Sequence, residues 1–131
     1  MGFIMKFVAI AFAGCLAGCA TQASTSYIDP PQAPGTPYPL TPAQIEKTKS
    51  VVGGTLKDPF SAQFKDIRAV SKAGSINICG EVNSKNSYGG YVGFTPFLAL
   101  LNAQTGTITP GAVVETDDSG FTTKFVADKC A

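Results

Sequence analysis

Five of the chain's nine prolines, at positions 30, 31, 34, 37 and 39, fall within residues 19–41, a stretch that carries a single charge, Asp29. Proline locks φ and lacks a backbone N–H, so such a stretch suits neither a helix interior nor the middle of a sheet. The Ser, Thr, Gln and Gly between the prolines bury too little apolar area to order a chain. Residues 19–41 therefore read as a flexible spacer, extended at about 3.1 Å per residue and able to reach roughly 60 Å. It divides the 131 residues into a short N-terminal segment and one domain-sized remainder, residues 42–131. A domain of that size buries a modest core, so extra covalent or metal support is common.

Residues 1–18 hold one charge, Lys6, followed by an uninterrupted apolar run over residues 7–17. That run is too short to cross a hydrocarbon layer, which needs about 20 residues. A basic residue, a short apolar run and small residues before a break describe a secretory signal, removed on maturation. Met5-Lys6 is the natural opening of that signal.

The segment ends in Leu16-Ala17-Gly18-Cys19, which resembles the lipobox of bacterial lipoproteins. The resemblance implies that the Cys19 thiol receives a diacylglyceryl group and that cleavage falls just before it. Phe12-Ala13-Gly14-Cys15 is a poorer match, because Phe replaces the branched aliphatic residue. Acyl burial contributes about 0.8 kcal/mol per methylene, and two chains anchor stably. Ala20, rather than Asp, follows the acylated position, which by the same resemblance favours delivery to the outer membrane, facing the periplasm. The partner expected first is thus the membrane itself, through the N-terminal anchor.

Processing at Cys19 leaves Cys79 and Cys130, an even pair in an oxidising compartment. They lack Cys-x-x-Cys spacing, and the chain has no His to join them in metal binding or nucleophilic work. A structural disulfide is expected, closing a loop of about 50 residues and contributing about 4 kcal/mol in the chain-entropy model. The same lack of His removes Ser–His–Asp, Cys–His and His-ligated zinc arrangements. Without Lys6, basic and acidic side chains are equal in number, so no nucleic-acid partner is expected. No metal, no cofactor and no enzymatic activity are expected either.

Within residues 42–131 the start is sharp. Thr41, Pro42 and Gln44 form a capping box with proline at the first helical position, and Leu40 and Ile45 stand at the positions of a hydrophobic staple. Ile45, Val52 and Leu56 then share a helical face. Strand patterns follow at residues 68–72 and 75–83, joined by Ala73-Gly74. In the second, Ile76, Ile78 and Val82 point one way while Asn77, Cys79 and Glu81 point the other. Further strands are expected at residues 91–94, 97–101, 107–109 and 112–115, with Pro110-Gly111 as a turn. Ser119 would cap a last helix that carries Phe121 and Phe125 on one face and Cys130 near its end. The expected fold is α+β: a small antiparallel sheet with an N-terminal and a C-terminal helix packed on it.

Leu56-Lys57-Asp58-Pro59-Phe60-Ser61-Ala62, then Cys79-Gly80-Glu81-Val82-Asn83 and Gly89-Gly90-Tyr91-Val92-Gly93, resemble a family of small exported bacterial proteins and lipoproteins. The resemblance spans residues 50–102 and implies no particular activity. Between the last two blocks, Asn83, Lys85, Asn86, Tyr88 and Tyr91 concentrate hydrogen-bonding and aromatic groups in one polar stretch, the candidate binding loop. Ser84 beside Lys85 is a weak candidate for a nucleophile pair, and Glu115 with Asp117 and Asp118 for calcium. The function expected is a lipid-anchored binding or structural domain of the cell envelope with an envelope protein as partner. Inhibition of a cell-wall hydrolase and a small envelope hydrolase are the alternatives.

Overall fold

The computed structural model describes residues 33–114 and 120–131. Residues 1–18, Cys19, most of the spacer, and the acidic candidates Glu115, Asp117 and Asp118 with the expected cap Ser119 lie outside the described residues.

The elements are β1 (Thr36–Tyr38), α1 (Pro42–Gly53), a 3₁₀ turn (Pro59–Ser61), β2 (Gln63–Lys72), β3 (Ser75–Asn83), β4 (Thr95–Leu101), β5 (Ile108–Val113) and α2 (Phe121–Cys130). All neighbouring strands pair antiparallel in the order β1-β2-β3-β4-β5. The two helices pack against opposite faces of this sheet. The molecule is α+β, with its helices N-terminal and C-terminal to the four main strands.

The capping box at the start of α1 is complete. Gln44 N donates to Thr41 Oγ1 at 3.2 Å, and Thr41 N donates to Gln44 Oε1 at 2.8 Å. These bonds satisfy two backbone donors that a helix start otherwise leaves open. Val52 is the fully buried apolar side chain of α1, packed with Ile78, Val82, Phe97, Ala99, Leu101 and Ile108. Thr48 is equally buried, and its hydroxyl donates to the Gln44 carbonyl at 2.7 Å. Phe97 anchors this face, with Phe64 edge-on at 5.8 Å between ring centroids. A side chain of that size stabilises by about 1.5–3 kcal/mol when fully buried. Gly80 makes room for it, since a Cβ there would sit 2.8 Å from Phe97 Cε1.

The β2–β3 hairpin turns through Ala73 and Gly74, at φ 49° and 78°, the positive angles of a type I′ turn, whose twist matches the flanking strands. β2 starts at Gln63, earlier than the expected 68, because a bulge between Lys65 and Arg68 interrupts its alternation. Asp66, at φ 54°, is the inserted residue. It lets Phe64, Ile67 and Ala69 all reach the α1 side.

The second face is smaller. Cys79, Leu98, Val114 and Val126 form its buried cluster, and the Cys79–Cys130 disulfide closes it with Cα atoms 6.0 Å apart. The Lys72 ammonium donates to the Asp128 carbonyl and lies 3.6 Å from Asp128 Oδ1. Gly35 N donates to Ala131 O at 2.8 Å, so the start of the described chain is fastened beside the end of α2. Asn77 is buried on this face, and its Nδ2 has no hydrogen-bond partner among the described residues. Such an orphan donor costs about 1–3 kcal/mol.

Four further expectations change. Residues 36–38, expected in the flexible spacer of residues 19–41, form the edge strand β1, so the folded part begins before residue 42. Pro37 on β1 and Pro110 on β5 keep both sheet edges poor in donors. Pro110-Gly111 is not a turn but lies inside β5, where Gly111 is the extra residue of a bulge facing Leu98 and Ala99 of β4, and a Cβ on Gly111 would come 2.9 Å from Leu98 O. Residues 91–94 form no strand beyond a single Lys85–Tyr91 bridge. Finally, α2 turns Val126 and Cys130 toward the sheet and leaves Phe125 exposed.

Candidate functional site

The binding loop expected from the sequence is the connection between β3 and β4, and its polar residues fold it upon itself. Asn86 Oδ1 accepts from Tyr88 N at 3.0 Å and from Gly90 N at 3.1 Å. Asn86 N donates to Gly90 O at 2.9 Å, and Gly89 N donates to Asn86 O at 3.0 Å. Gly89 supplies the positive φ of 81° that this tight return requires. Further down, Asn83 Oδ1 accepts from Gly93 N at 3.0 Å. Asn83 and Asn86 therefore brace the loop, while Tyr88 stands at its tip, 96% exposed.

Two residues outside the expected set complete this end of the sheet. Ser61 Oγ accepts from Lys85 N at 2.8 Å, which sets the 3₁₀ turn and the fully exposed Phe60 beside the loop. Lys65 Nζ lies 4.4 Å from the Phe94 ring centroid and 2.6 Å from Glu81 Oε2. The hydrogen bond that Lys65 donates to Glu81, aided by the charges of Glu81 and Asp66 and only partly opposed by desolvation, raises the Lys65 pKa above its ordinary 10.5. Lys85 Nζ in turn lies 5.5 Å from the Tyr91 ring. Phe60, Tyr88, Tyr91, Val92 and Phe94 are all exposed large apolar side chains. Such clustering marks interaction surfaces rather than ordinary exterior.

Sequence reasoning found Asn83, Lys85, Asn86, Tyr88 and Tyr91 together, and the structure brings them together. It missed Phe60, Phe94 and Lys65. Phe60 is tied to the loop by the bond between its neighbour Ser61 and Lys85, across 24 residues, and no local pattern signals that.

Beneath the loop a cleft of about 440 Å³ is lined by Lys57, Ser84, Lys85 and Asn86 over an apolar bed that includes Val82 and Val113. Its polar lining is thus cationic and amide in character, although Asn86 Oδ1 is already committed to the loop's own backbone. Ser84 and Lys85 both line the cleft, yet no hydrogen bond joins their side chains among the described residues, and the Lys85 ammonium is turned to Tyr91. Activation of a Ser nucleophile needs a base within hydrogen-bond reach. No group of three or more His, Cys, Asp or Glu side chains able to hold a metal is found among the described residues. No helix among the described residues is long and apolar enough to cross a membrane. No protein-family model, curated protein or solved structure matches the chain.

Proposed function

We propose that this chain is a lipid-anchored protein of the cell envelope, tethered through Cys19 to the outer membrane and facing the periplasm, whose globular part binds an envelope protein and catalyses no reaction. The observation that carries this reading is the braced aromatic end of the sheet, where Phe60 and Tyr88 are held almost wholly in solvent. Tyr and Phe are enriched at interfaces and supply contact area at a low cost in conformational entropy.

Topology supports the same reading. β1 pairs Thr36 with Ser71 and Tyr38 with Ala69, so the chain enters at the hairpin end of β2, opposite the aromatic loop. An anchor upstream of β1 would therefore leave the aromatic end free to meet a partner.

The test is photo-crosslinking in intact cells from a reactive residue installed at Tyr88, with Cys19→Ala as the anchor control. The expected result is a discrete crosslinked partner, lost with Phe60→Ser and dispersed by Cys19→Ala. Crosslinks that are absent, or unchanged in both variants, reject the reading. A second reading, inhibition of a cell-wall hydrolase, draws on the rigid Asn86-braced projection of Tyr88, a shape able to enter a substrate cleft. In that case the crosslinked partner is a hydrolase whose inhibition is relieved by Tyr88→Ala.

A further inference from the structure

The C-terminal end of α2 is fastened at three points to the β1–β2 side of the sheet. The Lys72 ammonium donates to the Asp128 carbonyl, Arg68 Nη2 donates to the Cys130 carbonyl at 3.4 Å, and Gly35 N donates to the Ala131 carbonyl at 2.8 Å. Last-turn carbonyls have no partner inside a helix, and cations favour that end. Gly35 comes this close because it has no side chain: a Cβ there would lie 3.1 Å from Val70 Cβ and 3.2 Å from Ala131 O. Below the turn the burial is thin. Val126 is the buried α2 side chain among those described, so the Cys79–Cys130 bond carries much of the fastening of the last turn.

The two cysteines of that bond stand in unlike places. Cys79 is 2% exposed on the central strand β3, while Cys130 is only partly buried at the end of α2. A thiolate arriving from solvent therefore reaches Cys130 first. Arg68 is the register partner of Cys79, and its guanidinium contacts the Cys130 carbonyl, which puts a fixed positive charge beside the bridge. Such neighbours stabilise thiolates, and a better-stabilised thiolate leaves faster.

We infer that the Cys79–Cys130 disulfide is a redox latch, opened by a dithiol, whose opening releases the last turn of α2 and with it loosens β1. The dithiol's thiolate bonds to Cys130 Sγ as the Sγ–Sγ bond breaks, and the electron pair of that bond leaves on Cys79 Sγ beside Arg68. The second dithiol sulfur then displaces Cys130 from the mixed disulfide, closing the dithiol's own disulfide. The protein gains two electrons and two protons, and the dithiol loses the same. With the covalent tie gone, the carbonyl contacts and Val126 are left to hold the turn. β1 offers little resistance: it pairs with β2 over three residues, and Pro37 brings no N–H. The inference does not depend on the aromatic loop or its partner.

The test uses the full chain carrying Cys15→Ala and Cys19→Ala, which leaves Cys79 and Cys130 as its cysteines. Dithiothreitol is the dithiol, and ¹⁵N NMR follows amide exchange before and after reduction. The expected result is exchange at least tenfold faster at Gly35 and at the amides of residues 128–131. Val52 and Ile78 should change less than twofold, and oxidation by diamide should restore the original rates. Exchange accelerated equally throughout the chain overturns the inference, because the bond would then support the whole fold. Unchanged exchange at Gly35 overturns it too. Arg68→Gln tests the chemistry separately, with Arg68→Lys as the charge-retaining control. Reduction of Arg68→Gln is expected to be at least threefold slower than that of Arg68→Lys. Equal rates, or faster reduction of Arg68→Gln, show that Arg68 only fastens the helix and overturn its part in opening the latch.

Discussion

The two faces of the sheet are covered by helices of similar length but held by different physics. Beneath α1, eight buried residues from the helix and four strands make a contiguous cluster that includes fully buried Phe97 and Ile78. Beneath α2 the buried cluster has four members among the described residues, one of them a disulfide cysteine. What α2 lacks in apolar area it recovers through a covalent bond, the Lys72–Asp128 contact and the backbone tie from Gly35 to Ala131. One face is fastened by burial and the other by staples. Small domains that cannot extend a single core adopt this second device, and here both devices share one sheet.

The largest effect should come from the burial-held face. Phe97→Ala removes the centre of the α1 cluster and the edge-on contact with Phe64, and Gly80, which already fits closely against the ring, has no side chain to fill the space. The expected loss is about 4 kcal/mol, within the usual range for Phe→Ala in a core, read as a lowered urea midpoint. A loss under about 1 kcal/mol would mean that the α1 face is not the principal core.

Next in size is the disulfide. Its loop of 51 residues gives about 4 kcal/mol in the chain-entropy model, and measured values commonly fall below that figure. Replacing Cys79 and Cys130 together by Ala is therefore expected to cost about 3 kcal/mol. The comparison predicts where the loss appears. Amide exchange should accelerate first in α2, with β3 and α1 amides still protected, because Val126 is the one fully described α2 side chain beside Cys130 that packs in the cluster. Uniform loss of protection across both helices would show that the faces unfold as one unit and that the contrast between them has no energetic meaning.

The same contrast governs what could be read in advance. Local chemistry was legible: the Thr41–Gln44 box, the Ala73-Gly74 turn and the alternation of Ile76, Ile78 and Val82 against Cys79 all appear as the residue pattern implies. The disulfide followed from cysteine arithmetic, and the Asn86-braced loop from its own composition. Features set by distant partners were not legible. Thr36 to Tyr38 become a strand only because β2 offers an open edge, and Pro110-Gly111 continue β5 because Gly111 is absorbed as a bulge against Leu98 and Ala99. The Asp66 bulge hid the first half of β2 by shifting the apolar period by one residue. Phe60 joined the candidate site through its neighbour Ser61, whose Oγ accepts from the Lys85 backbone N–H.

The smallest effect tests whether charge contributes to the α2 face beyond the reach of its helix. Lys65 and Glu81 stand opposite each other in the β2–β3 register, next to Phe94 on the side of the sheet that Cys79 faces. The folded-state pKa of Lys65 is raised above 10.5, chiefly by its hydrogen bond with Glu81. A raised cationic pKa means the folded protein holds that proton more tightly than the unfolded chain. The pair's contribution is thus fully present below about pH 10.5 and fades as pH climbs through the higher folded value. The pair is exposed, so the contribution is small and screened by salt. Lys65→Met keeps the aliphatic stem against Phe94 and removes the charge. The urea midpoints of the parent and this variant should differ by a constant small amount from pH 7 to 10 and converge above pH 10.5, with the gap shrinking in 1 M salt. Parallel curves through the alkaline range would show that Lys65 acts through its packing on Phe94, and that the exposed end of the α2 face is held, like the α1 face, by apolar contact rather than by charge.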